Sequence, residues 1–493
     1  MNRALRRISI AVLVMFVLLL VNVSYLQGFD TASLAGKAGN SRAFYAAQNQ
    51  YQRGSIVTSD GVTIATSGLS SSPNDSIKYQ RTYPLGPEYA SVTGYDTIFG
   101  STGIEQAQNS LLSGNDSALD VRKIIDLITG KTTKGATVQV TINSKAQAAA
   151  YNALRALGKP GGVVALDPRT GAILALASYP TFDPNMLAIH DGAKLNKVDN
   201  RLLKDKTQPL LNRALEGTYP PGSTFKIVTS STLLTQSPAT TINTKVDSPT
   251  TLTLPQTQHV LHNDQGEVCG DGSGQVPLIT AFAQSCDTTF AKIGIQVGAN
   301  ALNDMARKFG MNTSLNIPLP VAKSNYVIPA SQPLTAFSAI GQFSDTVTPL
   351  QEAMLSAAIA NNGTLMKPYL VKQVTASDLS TVQATSQSAL SQPVSSSVAD
   401  SVKQMMLAVV QQPEGTAYAF RQAVTGVEIA GKTGTAETGQ VSLNDAAFTC
   451  FAPFANPDIA VGVIIAGGGY GASAAAPIAV QVIKAYQQAM GNQ

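Results

Sequence analysis

Residues 8–23 run Ile-Ser-Ile-Ala-Val-Leu-Val-Met-Phe-Val-Leu-Leu-Leu-Val-Asn-Val without one charge. No other feature constrains the chain as strongly. A helix of about 20 apolar residues is what crosses a bilayer, and the run extends to Leu26, so residues 8–26 are expected to form a transmembrane anchor. Residues 1–7 carry Arg3, Arg6 and Arg7 and no acid. Positive charge of this kind stays on the cytoplasmic side, which places the N-terminus inside and everything after the anchor outside. A cleaved signal peptide is the competing reading. The apolar stretch is long for one, the following Ser24-Tyr-Leu-Gln-Gly28 offers no Ala-x-Ala-like cleavage site, and no cysteine lies nearby to carry a lipid. Both readings place the bulk of the chain outside the cytoplasm, where there is no ATP and where disulfides persist.

A chain of 493 residues needs about two or three domains. Its 44% hydrophobic content excludes disorder of the whole chain. A net charge of +4, dispersed along the sequence, does not make a nucleic-acid surface. Three histidines and three cysteines, with no Cys-x-x-Cys, argue against a metal site. Residues 27–144 are polar and turn-rich, with short β-like runs such as those flanking Asp60-Gly61, a good hairpin turn. They are expected to form a small, mostly β module. From residue 145 the pattern changes. A helix-forming stretch, Ala146 to Leu157, precedes two apolar strands, Gly161 to Leu166 and Gly171 to Ala177, joined by a hairpin at Asp167-Pro-Arg-Thr-Gly171. Helical patterns follow at Ile227–Leu234, Leu278–Val297, Leu350–Asn361 and Ser397–Gln411. Strand-like runs at Val427–Ala430, Ala446–Phe451 and Ile459–Ala466 and a last helix, Ala476–Met490, close the chain. Strands, then helices, then strands is an α+β arrangement in which both ends of residues 145–493 meet in one sheet. The Ser/Thr/Gln-rich stretch Thr375–Ser397 reads as a surface loop or linker.

Three short motifs carry chemistry. In Tyr219-Pro-Pro-Gly-Ser223-Thr-Phe-Lys226 the prolines and glycine stop one segment and an apolar helix begins at once. Ser223 and Lys226 then share a helix face. A serine hydroxyl becomes a nucleophile when a neighbouring base accepts its proton, and a lysine is such a base once burial or a nearby cation lowers its pKa. The plain alternative is an N-cap serine and a surface lysine. Ser285-Cys286-Asp287 falls inside the expected helix Ala281–Gly294. Gly431-Lys432-Thr433-Gly434-Thr435 follows a strand-like run and offers a cation, a hydroxyl and a bare backbone that another chain or ligand could lie against. Residues 426–433 also match the phosphate-loop pattern G-x-x-x-x-G-K-T. That mechanism needs a helix at the Lys-Thr, whereas Gly434-Thr-Ala-Glu-Thr-Gly439 does not read as one, and the segment is expected outside the cell.

In order, Ser-x-x-Lys at 223, Ser-x-Asp at 285 and Lys-Thr-Gly at 432 resemble the penicillin-binding protein and serine β-lactamase superfamily. Gly162–Pro168, Gly171–Ala177, Tyr179–Asn185, Asn212-Arg213, Gly341-Gln342, Thr348–Leu350, Ala360–Gly363 and Phe451–Pro453 look like class B transpeptidase domains. Arg53–Ile56 and Gly103–Glu105 resemble the family's non-catalytic pedestal. The resemblance implies the penicillin-binding transpeptidase fold, an antiparallel sheet flanked by helices, on a small pedestal. It implies D,D-transpeptidation of peptidoglycan stem peptides through an acyl-enzyme on Ser223, inhibited by β-lactams and needing no cofactor. It assigns Lys226 as base, Ser285 as proton relay, Lys432 as a source of positive potential, Thr433, Gly434 and Thr435 to substrate, and the backbone N–H groups of Ser223 and Thr435 to the oxyanion hole. A membrane glycosyltransferase of the elongation or division machinery is the protein partner it implies.

One residue departs from the family. Asp287 stands where Asn is usual; an ionised carboxylate only accepts hydrogen bonds, and beside Lys226 it favours the ammonium form. A β-lactamase or D,D-carboxypeptidase would use the same acyl-enzyme, and a β-lactam sensor would stop at it. The pedestal and the single expected span argue against these. Finally, Cys269, in a Gly/Asp-rich loop, and Cys286, beside Ser285, are expected to form a disulfide in the exported part, leaving Cys450 as a buried thiol. The alternative is three reduced, buried cysteines.

Overall fold

The runs Gly161–Leu166 and Ile173–Tyr179 pair as an antiparallel hairpin through Asp167–Gly171, as their apolar character and turn chemistry require. In the computed structural model of the chain, which describes residues 3–28, 45, 51–71, 77–120, 123, 128–129, 134–437, 440 and 443–491, this hairpin is one side of a five-stranded sheet. The elements used below are numbered in chain order. Helix α1 is Arg3–Gly28. Strands β1 (Ile56–Val57), β2 (Thr63–Leu69), β3 (Tyr79–Thr82) and β4 (Thr137–Val140) belong to the N-terminal module. Then come α2 (Ser144–Leu157), β5 (Gly161–Leu166) and β6 (Ile173–Tyr179).

The helical part supplies α3 (Lys226–Gln236), α4 (Leu278–Ala283), α5 (Asp287–Val297), α6 (Pro349–Ala360) and α7 (Ser396–Gln411). Strands β7 (Val371–Thr375) and β8 (Thr381–Ala384) lie between α6 and α7. The chain ends with β9 (Ala430–Ala436), β10 (Asp445–Ala452), β11 (Ile459–Ile465) and α8 (Ala476–Gly491). The sheet order is β9-β10-β11-β5-β6, antiparallel throughout. Both ends of the C-terminal part therefore meet in one sheet, as expected. Helices α2 and α8 cover one face, and α6 packs against β5, β10 and β11. Every residue of α6 and of β11 is buried, as befits elements with neighbours all round.

Two expectations change. The helix foreseen across Leu278–Val297 is two helices, broken at residues 284–286, where Ser285 takes φ +62°. Thr375–Ser397 lies largely at the surface, as expected, but it is not an unstructured loop or linker. Strand β7 ends at its first residue and β8 lies within it, and β7 pairs with β4, so the N-terminal sheet runs β8-β7-β4-β1-β2-β3. The sheet crosses the boundary drawn at residue 144. The N-terminal module also carries short helices, at Gly86–Thr93 and Gly103–Ala107 among others, beside the strands its turn-rich sequence suggested. Its first stretch, residues 29–50, lies outside the described residues except for residue 45.

The module is pinned by a buried ion network. Arg53 and Arg81 donate to opposite oxygens of Glu105 at 2.7 and 2.6 Å, and Tyr83 donates to the same carboxylate at 3.1 Å. Paired so closely, Glu105 titrates below its ordinary value despite full burial. In α1, residues Arg6–Leu26 have a mean hydropathy of 2.5 and no burial against the other described residues. At 1.5 Å per residue this span is about 30 Å long, the thickness of a bilayer's hydrocarbon core. One such helix among the described residues fits a single-pass membrane protein.

Candidate active site

A short 3-10 turn, Gly222–Phe225, runs directly into α3. It places Ser223 at the mouth of a cavity of about 500 Å³ and Lys226 beneath it. Lys226 is fully buried, so the surface-lysine alternative falls. Its Nζ lies 2.9 Å from Ser223 Oγ, donates to Ser285 O at 2.7 Å and to Asp287 Oδ1 at 2.7 Å, and is 3.1 Å from Ser285 Oγ. A neutral amine satisfies this arrangement: two N–H groups serve the carbonyl and the carboxylate, and the lone pair faces the Ser223 hydroxyl.

Lys432, on β9, is also fully buried. Its Nζ donates to Ser285 Oγ at 2.8 Å and to Thr433 O at 3.0 Å. The break between α4 and α5 makes these contacts possible. In an unbroken helix Ser285 could not turn both its carbonyl and its hydroxyl towards the lysines. The left-handed conformation costs about 1–2 kcal/mol in a residue with a Cβ, and the contacts to Lys226 and Lys432 offset it. Phe290 and Phe282, on the two helices, sit 5.5 Å from Lys226 Nζ and 5.7 Å from Lys432 Nζ.

Two buried amines share one carboxylate. Burial lowers the Lys226 pKa, and the attraction of Asp287 opposes this without cancelling it. Asp287 therefore pulls this amine towards the ammonium form, while desolvation sets the net downward direction. Lys432 lies well below its ordinary value, through burial first and then the neighbouring charge of Lys226.

Gly434 does something different from what its sequence context suggested. A Cβ there would meet Pro221 O at 2.7 Å and Thr224 Cγ2 at 2.9 Å, so the chain lying against this glycine is the nucleophile's own turn. Strand β9 is an edge strand, and Thr433 and Thr435 line the cavity with Ser223, Ser285 and Asp287. The phosphate-loop reading fails, because the Lys-Thr lies inside a strand that continues to Ala436. Residues 438–439 lie outside the described residues.

Cys269 and Cys286 form a disulfide, 17 residues apart with Cα atoms 6.1 Å apart, and Cys450 is a buried free thiol on β10. The bridge ties the loop bearing Cys269, part of the cavity wall, to the residue that opens α5. Six further residues take part to which the motifs assign no role. Thr416 Oγ1 is 2.7 Å from Thr433 Oγ1. Gln342 donates to Thr435 O at 2.9 Å. Asp264, Glu267, Glu414 and Glu437 make the rim acidic. Nothing in the local pattern marks these residues, which reach the site from separate loops.

Residues 161–484 match the penicillin binding protein transpeptidase domain. The chain belongs to this family. Residues 53–138 match the penicillin binding protein A dimerisation domain. Among curated relatives, the peptidoglycan D,D-transpeptidase PbpA of Mycolicibacterium smegmatis is 39% identical over 98% of this chain and 99% of its own length. The Mycobacterium tuberculosis enzyme of the same name is 38% identical over 99% of each. Penicillin-binding protein A of M. tuberculosis, solved as a ceftriaxone acyl-enzyme, superposes with a TM-score of 0.83 at 36% identity, covering 89% of this chain and 99% of that one. It has also been solved as a penicillin G acyl-enzyme.

Proposed function

We propose that the protein is a peptidoglycan D,D-transpeptidase that cross-links stem peptides through an acyl-enzyme on Ser223 and is blocked covalently by β-lactams. The observation that carries this reading is the buried, depressed Lys226 amine 2.9 Å from Ser223 Oγ. Ser223 attacks the carbonyl between the two terminal D-Ala residues of a donor stem as Lys226 takes its proton. The oxyanion is held by the backbone N–H groups of Ser223 and Thr435, a kind of contact worth about 10²–10³ in rate per donor. Collapse of the intermediate breaks the C–N bond. The departing D-Ala nitrogen receives a proton through Ser285, which touches both lysines. Lys432 supplies positive potential while Lys226 is neutral, since the charge of Lys226 is one of the causes that lower it, and Thr433 and Thr435, on the edge strand whose Gly434 admits the nucleophile's turn, hold the D-Ala carboxylate. An amine of a second stem then attacks the acyl-enzyme; its proton passes by way of Lys226 to Ser223 Oγ as the ester C–O bond breaks, which frees the serine.

In this reading residues 1–7 are cytoplasmic, 8–26 span the membrane, 27–144 form the pedestal and 145–493 the transpeptidase domain outside the cell. Arg3, Arg6 and Arg7 support that orientation. A membrane glycosyltransferase is the partner such an arrangement would serve. Mass spectrometry of penicillin-treated protein tests the chemistry. One acyl adduct on Ser223 is expected, and an adduct that persists in Ser223→Ala would overturn the assignment.

A further inference from the structure

Helix α6 is buried on every residue, yet it carries a glutamate at its centre. Glu352 is fully buried. Its Oε1 is 2.7 Å from Thr224 Oγ1, the hydroxyl of the residue that follows Ser223, and Thr224 Oγ1 is also 2.8 Å from Pro221 O. The Pro221 carbonyl only accepts. Were Glu352 ionised, it too would only accept, and the one hydroxyl hydrogen of Thr224 would face two acceptors at bonding distance. One contact would then be repulsive. A proton on Oε1 resolves the count: Glu352 donates to Thr224, and Thr224 donates to Pro221. The other carboxyl oxygen, Oε2, is buried without a partner among the described residues. That is tolerable for the carbonyl oxygen of an acid and costly for half of a carboxylate.

We propose that Glu352 is a positioning residue, held as a neutral carboxylic acid, whose proton fixes Thr224 and Pro221 and so holds the turn that presents Ser223. The surroundings agree. The turn itself brings Ser223 and Lys226, β10 brings Asp445 and Cys450, and α7 brings Asp400 and Lys403. Strands β5 and β11 and the short strand Leu365–Met366 bring no titratable group. Among the described residues no cation pairs with Glu352. Burial pushes its pKa up to about 8. The backbone is anchored from the opposite side too, since Thr449 Oγ1, on β10, donates to Glu352 O. The carboxyl is thus gripped between the central sheet and the nucleophile's turn.

The inference rests on Ser223 as nucleophile, and the test separates the two. Penicillin acylation rates are measured for the full chain from about pH 6 to about pH 10, across the Glu352 titration. Glu352→Leu removes the donor, and Glu352→Gln restores one through its amide without a titrating proton. At neutral pH Glu352→Leu is expected to acylate about tenfold more slowly, as for a lost buried hydrogen bond, and Glu352→Gln to recover the parent rate. Above pH 8 the parent should fall behind Glu352→Gln. If Glu352→Leu does not fold, Thr224→Val serves instead: it should lose a similar factor, with Glu352→Gln adding nothing further. Superimposed pH profiles for parent and Glu352→Gln, or a tenfold loss in a folded Glu352→Gln protein, overturn the proposal. The parent-minus-Glu352→Gln infrared difference spectrum should show a protonated-carboxyl band at neutral pH, and a carboxylate band there overturns it without reference to acylation. A protein that takes no penicillin on Ser223 would instead defeat the nucleophile assignment and leave the infrared result to decide Glu352.

Discussion

Lys226 carries an amine that burial pushes towards neutrality and Asp287 pulls back towards charge. The balance makes two predictions. Lys226→Arg keeps the cation but cannot supply a neutral base at ordinary pH. Acylation by penicillin is expected to drop by about a hundredfold or more, the usual worth of a general base; a near-parent rate would remove Lys226 from that role. Asp287→Asn keeps an acceptor for the amine and removes the charge that raises its pKa. Acylation requires the deprotonated amine, so it rises as pH passes upward through the Lys226 pKa, and in Asp287→Asn that rise should move to lower pH. The rate at neutral pH should stay within about tenfold of the parent, or 1.4 kcal/mol, and a pH profile of acylation checks both statements. At this scale the sequence was informative where chemistry depends on spacing. Ser223, Lys226, Ser285 and Lys432 stand out by motif, and the structure brings all four together. Glu352 was readable in principle, as the lone acid in an apolar helix. Thr416 was not, because a threonine in a turn carries no signature of what it will touch.

Among the elements, the hairpin β5–β6 and the long helices were legible because period and turn chemistry agree. The break between α4 and α5 was not. Phe282 and Phe290 continue an apolar face across Gln284-Ser285-Cys286, and the reason for the break lies elsewhere in the chain, in two lysines that need Ser285 turned towards them. The disulfide reinforces the break from outside. Replacing Cys269 and Cys286 by Ser together should cost about 3 kcal/mol for a loop of this size, read from urea denaturation. It should also slow acylation, because the loop holding one wall of the cavity is released; unchanged stability and rate would make the bridge incidental. Gly434→Ala tests how tightly β9 and the turn fit. With Pro221 O at 2.7 Å from the new methyl, either the turn or the strand must shift. An acylation loss of about tenfold or more is expected, since small displacements of reacting groups are costly.

Across the whole molecule the two sheets are not independent, and this was the least legible feature. Val371–Thr375 is short and sits beside a Ser/Thr/Gln-rich stretch, so composition hid two strands, β8 pairing with β7 and β7 with β4, which lies far away in the sequence. Because β7 and β8 complete the N-terminal sheet, the chain outside the membrane should unfold in one transition, and a protein beginning at residue 145 should expose β7 as an unpaired edge and aggregate. Two separable calorimetric transitions would contradict this. Stability should also depend on pH in a definite direction. Asp345, donated to by Ser338 at 2.6 Å, is raised by burial from 3.8 to about 7, and Glu352 from 4.5 to about 8. Between those values the native state binds more protons than the unfolded chain, so stability falls as pH rises from about 4 to about 8; Glu352→Gln should flatten that slope in urea titrations. The shared sheet has a consequence for biosynthesis. Gln139 and Gln373 meet across β4 and β7 at 3.0 Å although 234 residues separate them. While those residues are being made, β4 waits with one edge uncovered, its backbone donors and acceptors open to any strand that drifts past. The module that enters the world first is finished late, and a nascent chain stalled before residue 371 should be cut by protease within its N-terminal sheet where the completed protein resists.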